Sequence, residues 1–447
     1  MRSATRNIFT LAVLGLMAGC ALRQNALRAP ELPALARADP GRFVVITVRN
    51  EFQPALATPG STPRGYEAPG VYGLGATARA IAHSLEHDYR LREISAWPIE
   101  SLRVNCIVAR VPDLTSRATL IAQLERDSRV ESVEPLNEFS TETGAGRRAD
   151  AVGASDPGTQ SAPVNRRTYL PLQRNLRELG VFEAQRLSEG AAVRIAVIDT
   201  GVDYRHPDLH GRIIARLDFV GSGSGFTDDR HGTQVAGVIA ATADGGQGVL
   251  GIAPESRLIA LKACWPLRKN AAEAACNSFT LAQALEAAIT AHADVVNLSL
   301  AGPPDPLLAR LIEYGMRQGI IYVGSVAPPG SGLGHVFPAD VPGVLAVQSA
   351  EDAAASSRNL LAPGHGILTL VPGGHYDFAS GSSLATAEVT GIVALLLADG
   401  RRLPGPRVQQ ILTRSSRQFT TAAGVLLSSV NACAAVADAL ARSDCKA

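Results

Sequence analysis

Apolar residues fall into two blocks separated by a polar stretch. In the first block, Phe43-Val44-Val45-Ile46-Thr47-Val48 is β-branched and reads as a strand. Residues 77–86 read as a helix, and 94–97 and 106–111 as strands. Residues 114–127 place Leu120, Ile121 and Leu124 on one helical face, and 130–135 close with a strand. The order β-α-β-β-α-β predicts a small, ferredoxin-like α+β unit over residues 41–141. Residues 142–166, rich in Gly, Ala, Ser, Arg and Pro, read as a flexible linker open to nicking. In the second block, residues 167–447, almost wholly apolar runs at 193–199, 258–262, 295–300, 320–324 and 344–349 alternate with helical patterns. Those patterns fall at 233–242, 279–292, 306–318 and 382–399. Runs apolar at every position are strands buried on both faces, so the second block is expected to be an α/β, doubly wound parallel sheet.

The N-terminus changes the picture. Arg2 and Arg6 precede an apolar run at 8–17, followed by Ala18-Gly19-Cys20. The run is about half of the roughly 20 residues a span needs, so residues 1–19 read as an export signal. Small residues before a cysteine resemble the bacterial lipobox, which makes Cys20 a lipidated residue and 20–40 a proline-bearing tether. The bland alternative is an ordinary secretory signal with an incidental Cys20. Either reading exports the chain, and the lipobox reading places it in the bacterial cell envelope, anchored to a membrane by its N-terminus and facing the periplasm. The other long apolar stretch, 384–398, carries Thr386, Glu388 and Thr390 and reads as a core helix.

Composition adds exclusions. Lys plus Arg number 42 and Asp plus Glu 41. A net charge of +1 leaves no basic field for nucleic acid. Hydrophobic residues at 46% exclude wholesale disorder. The six cysteines contain no CxxC and the nine histidines no HExxH. The glycine-serine run at 221–225 lacks the lysine of a phosphate loop. His83 and His87, four apart on a helix, have no third ligand in view and read as a solvated face. No cofactor is implied.

Three blocks carry chemistry. Val197-Ile198-Asp199-Thr200-Gly201 ends a buried strand on an acid, where sites gather in open parallel sheets. His231-Gly232-Thr233 opens a helix. Ser380-Gly381-Ser382-Ser383 opens another. A serine hydroxyl needs a neighbouring base, and the base needs an orienting acid. Ser383, His231 and Asp199 supply these three roles. A serine at a helix N-terminus also directs backbone N–H groups towards a developing oxyanion. Taken singly, each block is as readily a turn or a helix cap.

In this order, the blocks resemble those of the subtilisin-like serine proteases, the subtilases, over about residues 167–435. The resemblance implies a serine endopeptidase acting on polypeptides through an acyl-enzyme. It implies a substrate-pairing strand at Ser299, Leu300, Ala301 and Gly302, and a 41–141 unit that serves as propeptide and intramolecular inhibitor, released by cleavage between about Thr141 and Asn165. Structural calcium is frequent in the family, but no oxygen-rich loop stands out here.

The departures matter. Counting from the strand at 320–324 puts Pro328 where the family has its oxyanion asparagine, and counting back from Phe337-Pro338-Ala339 gives the same position. Proline offers neither donor, and loss of this donor typically costs about 10²- to 10³-fold in turnover. Ser325, Ser331 and His335 are the nearby replacements. Leu384 stands for Met, Ala387-Glu388 for Pro-His, and Ala301 for Gly. Glu388, if buried, needs a partner or a raised pKa. The two functions that follow are an active envelope endopeptidase and a catalytically impaired lipoprotein that binds peptides or a partner. In an oxidising compartment Cys264 and Cys276 are the first disulfide expected, worth about 3 kcal/mol in the loop-entropy view. Cys433 and Cys445 are a possible second pair, leaving Cys106 a buried thiol.

Overall fold

The computed structural model describes residues 40–51, 73–141, 169–221, 225–243, 248–327, 336–354, 357, 359–420, 424, 426–442 and 445. Cys20, Pro328, Ser331 and His335 lie outside the described residues.

The first block forms β1 (Phe43–Arg49), α1 (Ala76–Tyr89), β2 (Arg92–Ile99), β3 (Val104–Arg110), α2 (Arg117–Leu124) and β4 (Ser132–Pro135). Its sheet runs β2-β3-β1-β4, and every neighbouring pair is antiparallel. Alternation along each strand sends side chains into two cores, which explains why β1 and β3 are largely apolar. Val44, Ile46, Ile107 and Ala109 pack under α1 and α2 with Leu85, Leu120 and Leu124. Phe43, Val45, Cys106 and Val108 face the other way, into the core of the second block.

After β5 (Glu138–Thr141), the second block begins with the short helices α3 (Arg174–Glu178) and α4 (Val181–Gln185). Its parallel strands are β6 (Arg194–Asp199), β7 (Ile213–Asp218), β8 (Arg257–Lys262), β11 (Val295–Leu298), β12 (Ile321–Ser325), β13 (Leu345–Ser349) and β14 (Leu360–Ala362). They form a seven-stranded sheet in the order β14-β13-β12-β11-β6-β8-β7, parallel throughout. One face packs on α5 (Arg230–Ala240) and α8 (Ser382–Leu397) through Val197, Ala260, Val295 and Val323. The opposite face packs on α6 (Ser278–Thr290) and α7 (Pro306–Arg317) through Ile198, Leu261, Val296 and Tyr322. The 384–398 stretch lies within a helical segment, 382–400, that is long and apolar enough to span a membrane but is 89% buried within the protein, so it is a core helix. The rest of the second block adds hairpins β9 (Cys264–Pro266) with β10 (Ala274–Asn277), β15 (Ile367–Val371) with β16 (His375–Ala379), and β17 (Arg417–Thr420) with β18 (Leu426–Ser429). It also adds helices α9 (Gly405–Arg414) and α10 (Ala432–Ala439).

Two details depart from the pattern-based reading. Helix α5 begins at Arg230, a few residues before the apolar periodicity does, so His231 lies in its first turn. Strand β5 leaves the sheet of its own unit and pairs antiparallel with β10, from Glu138 opposite Asn277 to Thr141 opposite Ala274. Cys264 is joined to Cys276 and Cys433 to Cys445, while Cys106 is a buried free thiol.

Candidate active site

Strand β6 ends on Asp199, at the carboxyl edge of the sheet. Asp199, His231 and Ser383 are all 0% exposed. His231 Nδ1 lies 2.7 and 2.9 Å from the two Asp199 carboxylate oxygens. Thr200 N–H also donates to Asp199 Oδ1 at 2.6 Å. With Nδ1–H donated to the carboxylate, Nε2 is left as the basic nitrogen. It has no hydrogen-bond partner among the described residues. Ser383 is the second residue of α8, after Gly381 and Ser382, and α8 packs against α5. The Ser383 hydroxyl donates to the Ser299 carbonyl at 3.2 Å. The structure thus pairs His231 with Asp199 and turns the Ser383 hydroxyl to the segment after β11. Catalytic hydrogen bonds often tighten only once substrate is bound.

The helix that carries Ser383 is pinned to the sheet by a chain of polar side chains. Thr390 donates to Asn297 Oδ1 at 2.9 Å, Asn297 Nδ2 donates to Ser299 Oγ at 2.9 Å, and Ser299 Oγ donates to the Ser383 carbonyl at 3.0 Å. Glu388, five residues beyond Ser383, has both of the features its burial demands. Asn175 Nδ2 donates to its Oε1 at 2.8 Å, and burial pushes its pKa well above the usual range.

The 299–302 segment is occupied. Ser140 N–H donates to the Ala301 carbonyl and Ala301 N–H to the Ser140 carbonyl, both at 2.9 Å. The chain's own β5 is therefore seated between β10 and the 299–302 segment as an added antiparallel strand. Phe139 is 1% exposed, and its ring stands 5.4 Å from that of Phe337. A Cβ on Gly302 would come within 2.2 Å of Phe139 Cδ1, so only glycine leaves room for this ring. Leu300 and Ala301 are buried, and the Ala301 methyl clusters with Ala327 and Val336.

Of the suggested oxyanion replacements, Ser325 is described. It is fully buried, and its hydroxyl has no partner among the described residues. His83 and His87 are exposed and lie beside Glu86 and Asp88. Among the described residues there is no cluster of three His, Cys, Asp or Glu able to hold a metal. Sequence reasoning passed over Phe139 and the buried Lys262, which pairs with Asp229. The only signals were a lone aromatic in a polar stretch and a lysine ending an apolar run.

Residues 190–431 match the model of the subtilase family. A thermophilic serine proteinase of Bacillus sp. (strain AK1) is 37% identical over 220 residues, which make up 46% of this chain and 52% of that protein. The chain therefore spans about half the length of that relative. Subtilisin of Bacillus pumilus is 35% identical over 223 residues, covering 47% of this chain and 78% of that one. Among solved structures, fervidolysin from Fervidobacterium pennivorans, a keratinolytic enzyme related to subtilisin, aligns with a TM-score of 0.64 over 88% of this chain and 60% of its own. At 20% identity, this is a likeness of fold alone. The prenylagaramide maturation protease PagA aligns with a TM-score of 0.50 at 25% identity, over 59% of this chain and 99% of its own. The parallel sheet, the buried Asp-His pair at its carboxyl edge and these likenesses agree: the chain belongs to the subtilase family.

Proposed function

We propose that the protein is an exported serine endopeptidase whose own N-terminal unit holds it inhibited. Ser383 Oγ attacks the peptide carbonyl while His231 Nε2 accepts its proton. Asp199 stabilises the imidazolium, which then protonates the leaving amine, and water releases the acyl group by the same relay. The Ser383 N–H and the positive end of α8 face the developing oxyanion. With Pro328 at the usual donor position, turnover is expected to be slow.

The observation that carries this reading is β5, hydrogen-bonded to Ala301 as a substrate strand would be. A peptide continuing that antiparallel register sets the residue two after Ser140 opposite Ser299, beside Ser383. In this chain that residue is Glu142, so self-cleavage is expected between Glu142 and Thr143, releasing the 41–141 unit as a propeptide. Arg2, Arg6 and the run ending at Cys20 support export and a lipid anchor in the bacterial envelope. Loss of labelled fatty-acid incorporation in Cys20→Ser checks the anchor.

Intact mass and N-terminal sequencing of purified wild type and Ser383→Ala test the cleavage. A new N-terminus at Thr143 in wild type alone supports the reading. The same nick in both proteins contradicts it. Pro328 favours one competing reading, a catalytically impaired lipoprotein that binds peptides. For that protein, neither an added peptide nor its own linker is cut, yet peptides still compete with β5.

A further inference from the structure

The carboxyl edge of the sheet holds one more buried charge pair than the Asp-His-Ser relay itself uses. Lys262 ends β8 directly opposite Asp199 on β6. Residues two and four places before each, Ala260 and Leu258 on β8 and Val197 and Ile195 on β6, face the layer that contains α5 and α8. By strand alternation, Asp199 and Lys262 rise side by side from that same face. Lys262 is 0% exposed. A buried ammonium is strongly unfavourable unless matched. Its match is Asp229, whose Oδ2 lies 2.5 Å from Lys262 Nζ.

Asp229 stands at the N-cap of α5, yet its side chain makes no cap bond to that helix. The same Oδ2 instead accepts the Gly201 N–H at 2.8 Å, two residues beyond Asp199. One carboxylate thereby joins the strand carrying Lys262, the turn after Asp199 and the helix carrying His231. The join is tight: a Cβ on Gly201 would meet the Phe226 carbonyl at 2.2 Å and Asp229 Oδ2 at 2.7 Å. From the other side, Gly232 N–H donates to Thr200 Oγ1 at 2.9 Å, which closes the turn against α5.

We infer that Asp229 and Lys262 are positioning residues for the relay: the pair locks the Asp199 turn against the start of α5, and the lysine charge offsets the second carboxylate beneath His231. The inference rests on the preceding reading of Asp199, His231 and Ser383 as the relay. The other charges around α5 are already committed. Arg230 pairs with Asp377 of β16. Asp203 accepts the Arg205 and Gly373 N–H groups, and Asp208 accepts that of Val249. His206 bonds the His375 carbonyl, and burial pushes its pKa down. On α8, burial pushes the Glu388 pKa well above the usual range.

Asp229→Asn removes the carboxylate matched to Lys262. The extra net positive charge then disfavours the imidazolium of His231. The midpoint of the pH profile for fluorophosphonate labelling of Ser383 should fall by about one pH unit. Adding K262M to D229N removes that charge and should restore the wild-type midpoint. A purely structural role predicts reduced stability with no change of midpoint in D229N, and that result overturns the inference. Should D229N alone fail to fold, the double variant, which leaves neither charge of the pair, is compared with wild type. A tenfold or greater loss of labelling rate in a protein of similar stability supports positioning, and an unchanged rate overturns it. If wild type does not label even after its N-terminal unit has been cleaved away, the triad reading itself has failed. The His231 imidazole titration followed by NMR in the full chain then still reads the same D229N shift, or its absence.

Discussion

Glu388 sits in the apolar helix that carries Ser383, with one oxygen on Asn175 and the other without a partner among the described residues. Neutral, it is a tolerable core residue. Ionised, it is not. Its folded pKa is raised, so its contribution to stability is complete below the ordinary glutamate value. That contribution is lost as pH rises through the folded value. Glu388→Gln, which keeps the shape and the acceptor for Asn175, should remove this alkaline loss of melting temperature. Glu388→Ala leaves the Asn175 amide unpaired and should cost about 1–3 kcal/mol in denaturant unfolding at any pH. The sequence showed that Glu388 needed a partner, because an acid inside an apolar helix is conspicuous. Asn175 could not be picked out, because the two residues lie 213 positions apart and meet only through the packing of α3 on α8. Asp199, His231 and Ser383 were legible because each sits in a short local motif at an element end. The Lys262–Asp229 pair was not, since it exists only once β8 lies beside β6.

At the scale of elements, the core parallel strands were readable because burial on both faces makes most of their positions apolar. The short strands were not. Strand β5 is only four residues long, and its sequence, Glu-Phe-Ser-Thr, has no pattern beyond alternation. It is a strand because β10 and Ala301 supply its hydrogen-bond partners. Gly302 is the position to test this. Gly302→Ala drives a methyl into Phe139 and should loosen β5, seen as faster amide exchange at Phe139 and Ser140 and as faster nicking nearby by an added protease. The Cys264–Cys276 bridge ties β9 to β10, the strand that pairs with β5. Replacing both cysteines with alanine should cost about 3 kcal/mol, read in denaturant melts.

The whole molecule is held together by a docking face that is apolar at its centre and acidic at its edge. Trp97 of the first unit meets Phe279 edge-to-face at 4.7 Å. Glu134 accepts the Leu307 N–H at the start of α7, close to Asp305, and Arg310 pairs with Glu131. Burial, and then the Asp305 charge, push the Glu134 carboxyl up to about 8. Burial raises Asp305 as well. Because the docked values are raised, this contribution to docking is complete below the ordinary carboxylate range. It fades as pH rises through about 8. In Ser383→Ala protein nicked in its linker by an added protease, the N-terminal fragment should dissociate more readily at alkaline than at neutral pH by size exclusion. Glu134→Gln should flatten that dependence. The two-block organisation was visible in the alternation of apolar runs. The docking face was not, because Phe43, Val45 and Val108 look like any buried strand residues until a second unit covers them.

The central claim is that Ser383 is a nucleophile activated by His231 and Asp199. Fluorophosphonate labelling of the purified full chain, located by peptide mass spectrometry, tests it most directly. One adduct is expected, on Ser383, forming faster after the N-terminal unit is removed and absent from Ser383→Ala and His231→Ala. No adduct on Ser383 in wild type, once that unit has been cleaved away, would contradict it.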